Sequence, residues 1–182
     1  MTSRYERILE LRSEIPRLLM LVGDTKSASW VWRCVWPTAQ LANHGFIADW
    51  CPATNTQEVI GAIDAGRYNT IITPGAYWHN EQDADNWIKY VRSKNLTWIY
   101  AVDDNGWSQD IVQRQAKLYE TEWGKGEDQL EQERLGRISY ASRSDGVIVS
   151  TEHLANVTRT FIDKPVWCVP NLIDLVWFDG RI

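Results

Sequence analysis

The residues best suited to chemistry in this sequence follow apolar, strand-like runs. Asp103 and Asp104 come directly after the run from Leu96 to Val102. Adjacent carboxylates raise each other's cost of ionisation unless a cation or a hydrogen-bond donor lies nearby. The pair therefore predicts a metal ion, a group of substrate hydroxyls or a helix N-terminus beside it. A capping role and a role in a site both stay open.

His79 is the histidine expected at the same edge of the fold, because it lies in the loop after the run from Asn69 to Thr73. His44 and His153 fall in stretches with helical patterns. Imidazole changes its protonation state near neutral pH, so a histidine among loops can donate a hydrogen bond or transfer a proton. We take His79 as a candidate catalytic residue together with the Asp103–Asp104 pair.

A polar loop of small residues follows the first strand-like run. Backbone amides ahead of a helix can bind a phosphate. The spacing is neither that of a P-loop nor GxGxxG, and a plain turn is the alternative. An arginine a few residues later could add a guanidinium to the same edge or form a surface ion pair. The candidate donor-binding residues of this region are Gly23, Asp24, Thr25, Ser27 and Arg33.

Two later loops also carry polar residues at strand ends. Ser150 and Thr151 follow the run that begins at Gly146, and Thr151 also suits the cap of a following helix. Asn171 and Asp174 follow the last strand-like run, where they could form an Asx turn. We include these four side chains among the candidate binding residues.

An alternating series of strands and helices must position these loops. Strand-like runs cover residues 17–22, 46–51, 69–73, 96–102, 146–150 and 165–169. Helical patterns lie between them, and two helices are predicted within 108–142. This alternation predicts a parallel sheet with right-handed crossovers and helices on both faces. The predicted fold class is α/β, a three-layer, doubly wound, mostly parallel, Rossmann-like sheet that binds ligands at the carboxyl ends of its strands.

Length and charge narrow the possible functions. A chain of 182 residues favours a single domain over 1–182. A net charge of −5 argues against nucleic acid or an anionic lipid surface as partners, because both attract surplus Lys and Arg. The longest apolar runs are strand-sized, and the first residues lack the apolar stretch of a signal peptide. We therefore expect a cytoplasmic protein without a membrane span.

The cysteines and tryptophans give further expectations about the core. The sequence has 3 cysteines, widely separated among apolar residues, which predicts buried free thiols rather than a disulfide or a zinc site. It has 11 tryptophans, of which Trp98 and Trp167 fall in strand-like runs and are expected in the core. Others lie in or beside loops, where they form either a glycan- or partner-binding surface or core packing under the loops. These are Trp30, Trp32, Trp36, Trp78 and Trp107.

Two stretches near the end of the chain resemble a known family. Residues 144–154 (SDGVIVSTEHL) and 164–174 (KPVWCVPNLID) resemble the end of the N-terminal domain of GT-B glycosyltransferases, closest to the group-1, glycogen-synthase-like retaining enzymes. Residues 32–45 resemble the first helix of that family, and residues 100–104 its acidic strand end. The resemblance covers nearly the whole chain, in the right order.

The resemblance implies an acceptor-side domain equivalent to the N-terminal half of a GT-B enzyme. Its substrates would be a nucleotide-sugar and a glycan or other acceptor, with no cofactor and no obligatory metal. The loop 23–27 would face the donor phosphates and sugar. His79 and the Asp103–Asp104 pair would face the acceptor or the transferred sugar. Asn171 and Asp174 would shape a domain hinge.

The same resemblance implies that the C-terminal, donor-binding domain of such enzymes is missing from this sequence. In that family a C-terminal domain holds the donor through an Arg/Lys pair and a Glu-x7-Glu motif, and neither follows Ile182. Stabilising the charge of the leaving group is usually the largest electrostatic contribution to such a reaction. We therefore expect that the donor-binding domain is absent, that this chain alone is inactive or nearly so, and that it works with a separate C-terminal domain or self-associates.

Two other interpretations stay open. The chain could be a non-catalytic module with the same fold, whose loop tryptophans hold a glycan or a partner protein. It could also be a flavodoxin-like or response-regulator-like domain that binds Mg²⁺ through Asp24 or the Asp103–Asp104 pair. That interpretation leaves the sequence after residue 150 unexplained, and phosphoryl transfer to an Asp would favour it.

Overall fold

The computed structural model describes residues 16–22, 31–53, 55–74, 81–122 and 126–170. The strands are β1 Arg17–Val22, β2 Ile47–Pro52, β3 Thr70–Pro74, β4 Thr97–Val102, β5 Gly146–Val149 and β6 Val166–Cys168. A π-helical turn spans Val31–Val35. The helices are α1 Trp36–Asn43, α2 Thr56–Asp64, α3 Glu81–Ser93, α4 Gln109–Glu122, α5 Glu127–Arg143 and α6 Glu152–Phe161.

Within these residues the strands form one 6-stranded, all-parallel sheet in the order β2-β1-β3-β4-β5-β6, flanked by helices. The predicted α/β, Rossmann-like fold class is confirmed. Five of the six residues of β4 are buried, whichever face of the sheet they lie on. This is the pattern of a parallel strand covered on both faces. β2 is instead an edge strand, and half of its residues are exposed.

The order in which strands are added to the sheet reverses after β2, so that β1 lies between β2 and β3. β2 pairs with one side of β1 and β3 with the other, with Leu19 opposite both Asp49 and Ile71. In doubly wound sheets this point, at the carboxyl ends of the two strands where the order reverses, is where ligands bind. The segments that leave those ends are 23–30 and 75–80, which contain the predicted donor loop and His79; both lie outside the described residues.

The described residues divide into two compact units. The first contains β1, β2, α1, α2 and the start of β3. Gly45 and Gly66, which follow its helices, have φ values of 82° and 67°, the left-handed conformation that glycine adopts without strain. Pro37 stands in the first turn of α1, as its missing amide requires. Asn55 occupies the cap position of α2, but its side chain donates to Glu58 instead of capping the helix.

The second unit contains the end of β3 and the elements from β4 to β6, with α3 to α6. Trp98 is 0% exposed, and its indole donates to the Thr73 hydroxyl over 2.8 Å, which confirms its predicted place in the core. The same prediction for Trp167 is wrong. Its side chain is 39% exposed, on the strand at the edge of the described sheet.

The cysteine prediction is confirmed except in one detail. Cys34 and Cys51 are buried free thiols, and Cys168 is free but only partly buried. Among the described residues there is no group of three or more His, Cys, Asp and Glu side chains that could hold a metal ion. No helix in the described part of the chain is both long enough and apolar enough to cross a membrane.

Candidate functional site

The loop after β4, residues 103–108, is held in place mainly by its own polar groups. The Gly106 amide donates to the Asp104 carbonyl over 2.8 Å. The Asn105 side-chain oxygen accepts from the Trp107 amide and the Ser108 hydroxyl, each over 3.4 Å. Asn105 thus forms the Asx turn that precedes α4, so the helix N-terminus predicted beside the Asp103–Asp104 pair is present.

Trp107 anchors this loop to the core. Its side chain is 0% exposed, and its ring centre lies 6.4 Å from that of Tyr100 in a tilted arrangement. Of the two interpretations of the loop tryptophans, core packing is therefore the one that holds for Trp107. Trp36 is partly exposed, and the side chains of the others lie outside the described residues.

The ends of β4 and β5 meet at this loop. Val102 pairs with Val149 in the sheet, so Asp103 and Ser150 leave the sheet side by side. The Ser150 hydroxyl donates to the Asp103 carbonyl over 3.4 Å. Four candidate residues, Asp103, Asp104, Ser150 and Thr151, are thereby brought to one place, which we call the strand-end site.

Thr151 has a structural role within the strand-end site. Its hydroxyl oxygen accepts a hydrogen bond from the Leu154 amide over 3.1 Å and so caps α6. The capping role considered for Thr151 is therefore present. The hydroxyl proton is still available as a donor.

Replacing Thr151 by alanine is expected to lower the free energy of unfolding by about 1 kcal/mol, because the first turn of α6 loses its side-chain acceptor. Urea denaturation followed by circular dichroism measures the loss. Thr151→Ser is the matched control and should stay close to the parent, since serine caps equally well. An equal loss in both variants would contradict the capping assignment.

Two arginines of α5 approach the same loop. Arg134 donates to the Trp107 carbonyl over 3.0 Å and makes a double hydrogen bond to Glu131 over 2.7 and 2.8 Å. That bond lowers the pKa of Glu131. The Arg137 guanidinium lies directly against Gly106, so close that a Cβ there would overlap it. Neither arginine is among the residues predicted from the sequence.

Arg137 differs from Arg134 in having no ionic partner within the described part of the chain. It forms no hydrogen bond or ion pair with any residue that the structure describes. The Arg137 residue is nevertheless only partly exposed. The strand-end site therefore combines the exposed carboxylate of Asp104, the hydroxyls of Ser150 and Thr151, and a guanidinium with unused donors. Such a set can bind sugar hydroxyls through the carboxylate and an anionic group through the arginine.

The other predicted site residues are not part of the strand-end site as described. Arg33 lies in the π-helical turn of the first unit and is partly exposed. The remaining ones lie outside the described residues: Gly23, Asp24, Thr25, Ser27, His79, Asn171 and Asp174.

Comparison with known proteins gives no family for this chain. No protein-family model matches it, and no curated protein sequence matches it significantly. Any statement about its activity therefore depends on the resemblance of residues 144–154 and 164–174 and on the geometry of the strand-end site.

Proposed function

We propose that this chain is a glycosyltransferase-like domain, the acceptor-side half of an enzyme that transfers a sugar from a nucleotide-sugar donor. The observation that carries the proposal is the contact between Ser150 and the Asp103 carbonyl at 3.4 Å. It joins the acidic end of β4 to the Ser-Thr end of β5, which are two of the stretches in which the sequence resembles GT-B enzymes.

Each polar group of the strand-end site has a role in this proposal. The carboxylates of Asp103 and Asp104 accept hydrogen bonds from sugar hydroxyls, and charge-assisted bonds of this kind are stronger than neutral ones. Arg137 interacts with the donor diphosphate, whose charge grows as the glycosidic bond breaks. Its guanidinium suits this role, because it lies against Gly106 and makes no hydrogen bond to the described residues.

The test is a binding titration of the purified chain followed by amide NMR. The probes are UDP-glucose, UDP-N-acetylglucosamine, GDP-mannose and ADP-glucose, followed by a panel of oligosaccharides. At least one nucleotide-sugar is expected to shift the amides of 103–108 and 150–152. Asp104→Asn and Arg137→Gln should each raise its Kd about tenfold, since each removes a charge-assisted hydrogen bond.

Asp128→Asn provides the matched control, because Asp128 is an exposed carboxylate in the first turn of α5. It should leave the Kd within about twofold of the parent value. The proposal fails if neither a nucleotide-sugar nor an oligosaccharide shifts these amides at millimolar concentration. It also fails if Asp128→Asn weakens binding as much as the two site variants do.

The second candidate is a non-catalytic module that binds a glycan or a protein through the same fold. Exposed apolar side chains near the end of the described chain favour it: Phe161, Trp167 and Val169 are 38%, 39% and 48% exposed. In the same titration this candidate predicts that an oligosaccharide shifts the amides around Trp167 while every nucleotide-sugar leaves 103–108 unchanged.

A further inference from the structure

A cavity in the first unit is separate from the strand-end site. It lies between β2 and α2, has a volume of about 480 Å³, and shares no residue with the strand-end site. We call it the β2–α2 cavity. Its polar and aromatic lining includes Asp49, Trp50 and Glu58, together with Arg67 and Tyr68 from the segment after α2. The volume is in the range of small-molecule binding sites.

The two carboxylates of the cavity are each held by one neighbour and retain acceptor capacity. The Tyr68 hydroxyl donates to Asp49 over 2.7 Å, and the Asn55 amide donates to Glu58 over 3.2 Å. Burial and the Asp49 carboxylate raise the pKa of Tyr68 to about 12, so the phenol keeps its proton at neutral pH. A carboxylate can accept several hydrogen bonds, so both groups can still accept from a ligand.

Arg67 supplies the donors. Its guanidinium lies 5.7 Å from the centre of the Tyr68 ring. It forms no hydrogen bond or ion pair with any residue in the described part of the chain. The β2–α2 cavity therefore has free acceptors on one set of side chains and free donors on another.

Gly61 leaves one wall of the cavity open. It stands inside α2, where glycine is less favourable than alanine. A Cβ built on it would have no atom within 4 Å, and Gly61 lines the cavity. No close packing requires a glycine here, so a large side chain can be introduced at the wall of the cavity without a clash at its Cβ.

The charges of the lining indicate the class of ligand. The lining contains two carboxylates and one guanidinium, and this excess of negative charge disfavours phosphates and other anions. Burial and the nearby Glu58 raise the pKa of the Cys51 thiol, so this part of the wall stays neutral. Tyr68 adds an aromatic ring to the lining. Acceptors, donors and an aromatic ring together suit a neutral ligand with many hydroxyls.

We propose that the β2–α2 cavity binds a neutral, hydroxyl-rich ligand of the size of a mono- or disaccharide. The carboxylates of Asp49 and Glu58 accept from neighbouring hydroxyls, and Arg67 donates to a ring or hydroxyl oxygen. The ring of Tyr68 lies in the same lining. This proposal does not rest on the glycosyltransferase proposal, because it uses none of the strand-end residues.

Amide NMR titration of the full chain tests the proposal directly. The probes are the methyl pyranosides of glucose, galactose and mannose, and maltose, with inorganic phosphate and putrescine as the anionic and cationic comparisons. A pyranoside or maltose is expected to shift the amides of 49–51 and 58–68. Shifts there from phosphate or putrescine alone, or from no probe at all, would overturn the proposal.

Alkylation of Cys51 gives an independent readout. Cys51 lines the cavity, whereas Cys168 is partly exposed on β6 and acts as an internal reference. The sugar that shifts the amides should slow iodoacetamide labelling of Cys51 at least about threefold, measured by peptide mass spectrometry, and leave Cys168 unchanged. Equal slowing at both cysteines would contradict binding in the cavity.

A pair of variants at Gly61 distinguishes the effect of a bulky side chain in the cavity from the effect of a higher helix propensity. Gly61→Phe should raise the sugar Kd at least about tenfold, because the ring occupies the cavity. Gly61→Ala raises helix propensity in the same way and should change the Kd less than about twofold. Equal Kd values for Gly61→Phe and the parent would overturn the proposal.

Two further variants keep the test informative. Glu58→Gln, at an exposed position, should weaken sugar binding without loss of the folded state, which covers the case that Gly61→Phe fails to fold. Asp104→Asn should leave sugar binding in the cavity unchanged. Its effect on nucleotide-sugar binding reports on the strand-end site alone, so the two proposals can fail separately.

Discussion

Replacing Asp145 by alanine is expected to lower the free energy of unfolding by about 2–4 kcal/mol. The side chain of Asp145 is only 9% exposed, and one of its oxygens accepts two hydrogen bonds. One comes from the Trp98 amide over 2.9 Å and the other from Arg92 over 2.7 Å. The alanine variant leaves an amide at the start of β4 and a partly buried guanidinium without this acceptor. Urea denaturation at neutral pH measures the loss.

Asp145→Asn separates the hydrogen bonds from the charge. Its side-chain oxygen can still accept from the Trp98 amide, so it should lose less stability than Asp145→Ala. Arg92→Met removes the guanidinium that joins Asp145 to the Arg143 carbonyl, a bond of 2.7 Å. In a double-mutant cycle, the losses from Asp145→Ala and Arg92→Met should not add, because both remove the same ion pair. Additive losses would contradict this account.

The sequence pattern predicted the elements well where apolar runs end at glycine or proline. β1 has the predicted bounds, and the other strands differ from prediction by one or two residues. The failure at Trp167 has a physical cause. An apolar run predicts a strand but not its place in the sheet. The sheet order places β6 at the edge, where Trp167 is exposed.

The strand-end site was predictable only in part. Asp103, Asp104, Ser150 and Thr151 could be found from sequence because the carboxyl ends of parallel strands share one edge. Arg134 and Arg137 could not be found in this way. They lie on α5, far along the chain from the loop they contact, and their helical spacing gives no sign of that contact. Asn105 had a local signal, since an Asn shortly before a helix is typical of an Asx turn.

The residues that carry the family resemblance also explain part of the fold. In the Ser144-Asp145-Gly146 run, the Ser144 hydroxyl is buried and donates to the carbonyls of Ala141 and Gly146, over 2.7 and 3.0 Å. Asp145 joins α3 to β4 through the bonds described above. Matches at these positions are therefore explained by packing alone. The residues that bear on the proposed activity are those at the strand ends.

Gly146→Ala is expected to lower the free energy of unfolding by about 1–3 kcal/mol, the usual effect of overpacking. A Cβ at Gly146 would overlap the ring of Trp167 and lie 3.1 Å from the Pro165 carbonyl oxygen. That oxygen cannot easily move, because it accepts the Val147 amide over 2.8 Å and so holds the start of β6 against β5. The Trp167 ring is partly exposed and has to move instead. Urea denaturation measures the loss.

The Trp167→Ala variant shows whether the ring causes the loss. In that background the new methyl group has only the carbonyl contact, so Gly146→Ala should destabilise the protein by at least about 1 kcal/mol less than in the parent. Gly136→Ala is the control for a methyl group added without a clash, since a Cβ at Gly136 inside α5 lies 3.9 Å from the Tyr140 ring, and it should not destabilise the protein. An undiminished loss at Gly146 in the Trp167→Ala background would instead assign the strain to the Pro165 carbonyl. In that case the close pairing of β5 with β6 requires this glycine, whatever residue occupies position 167.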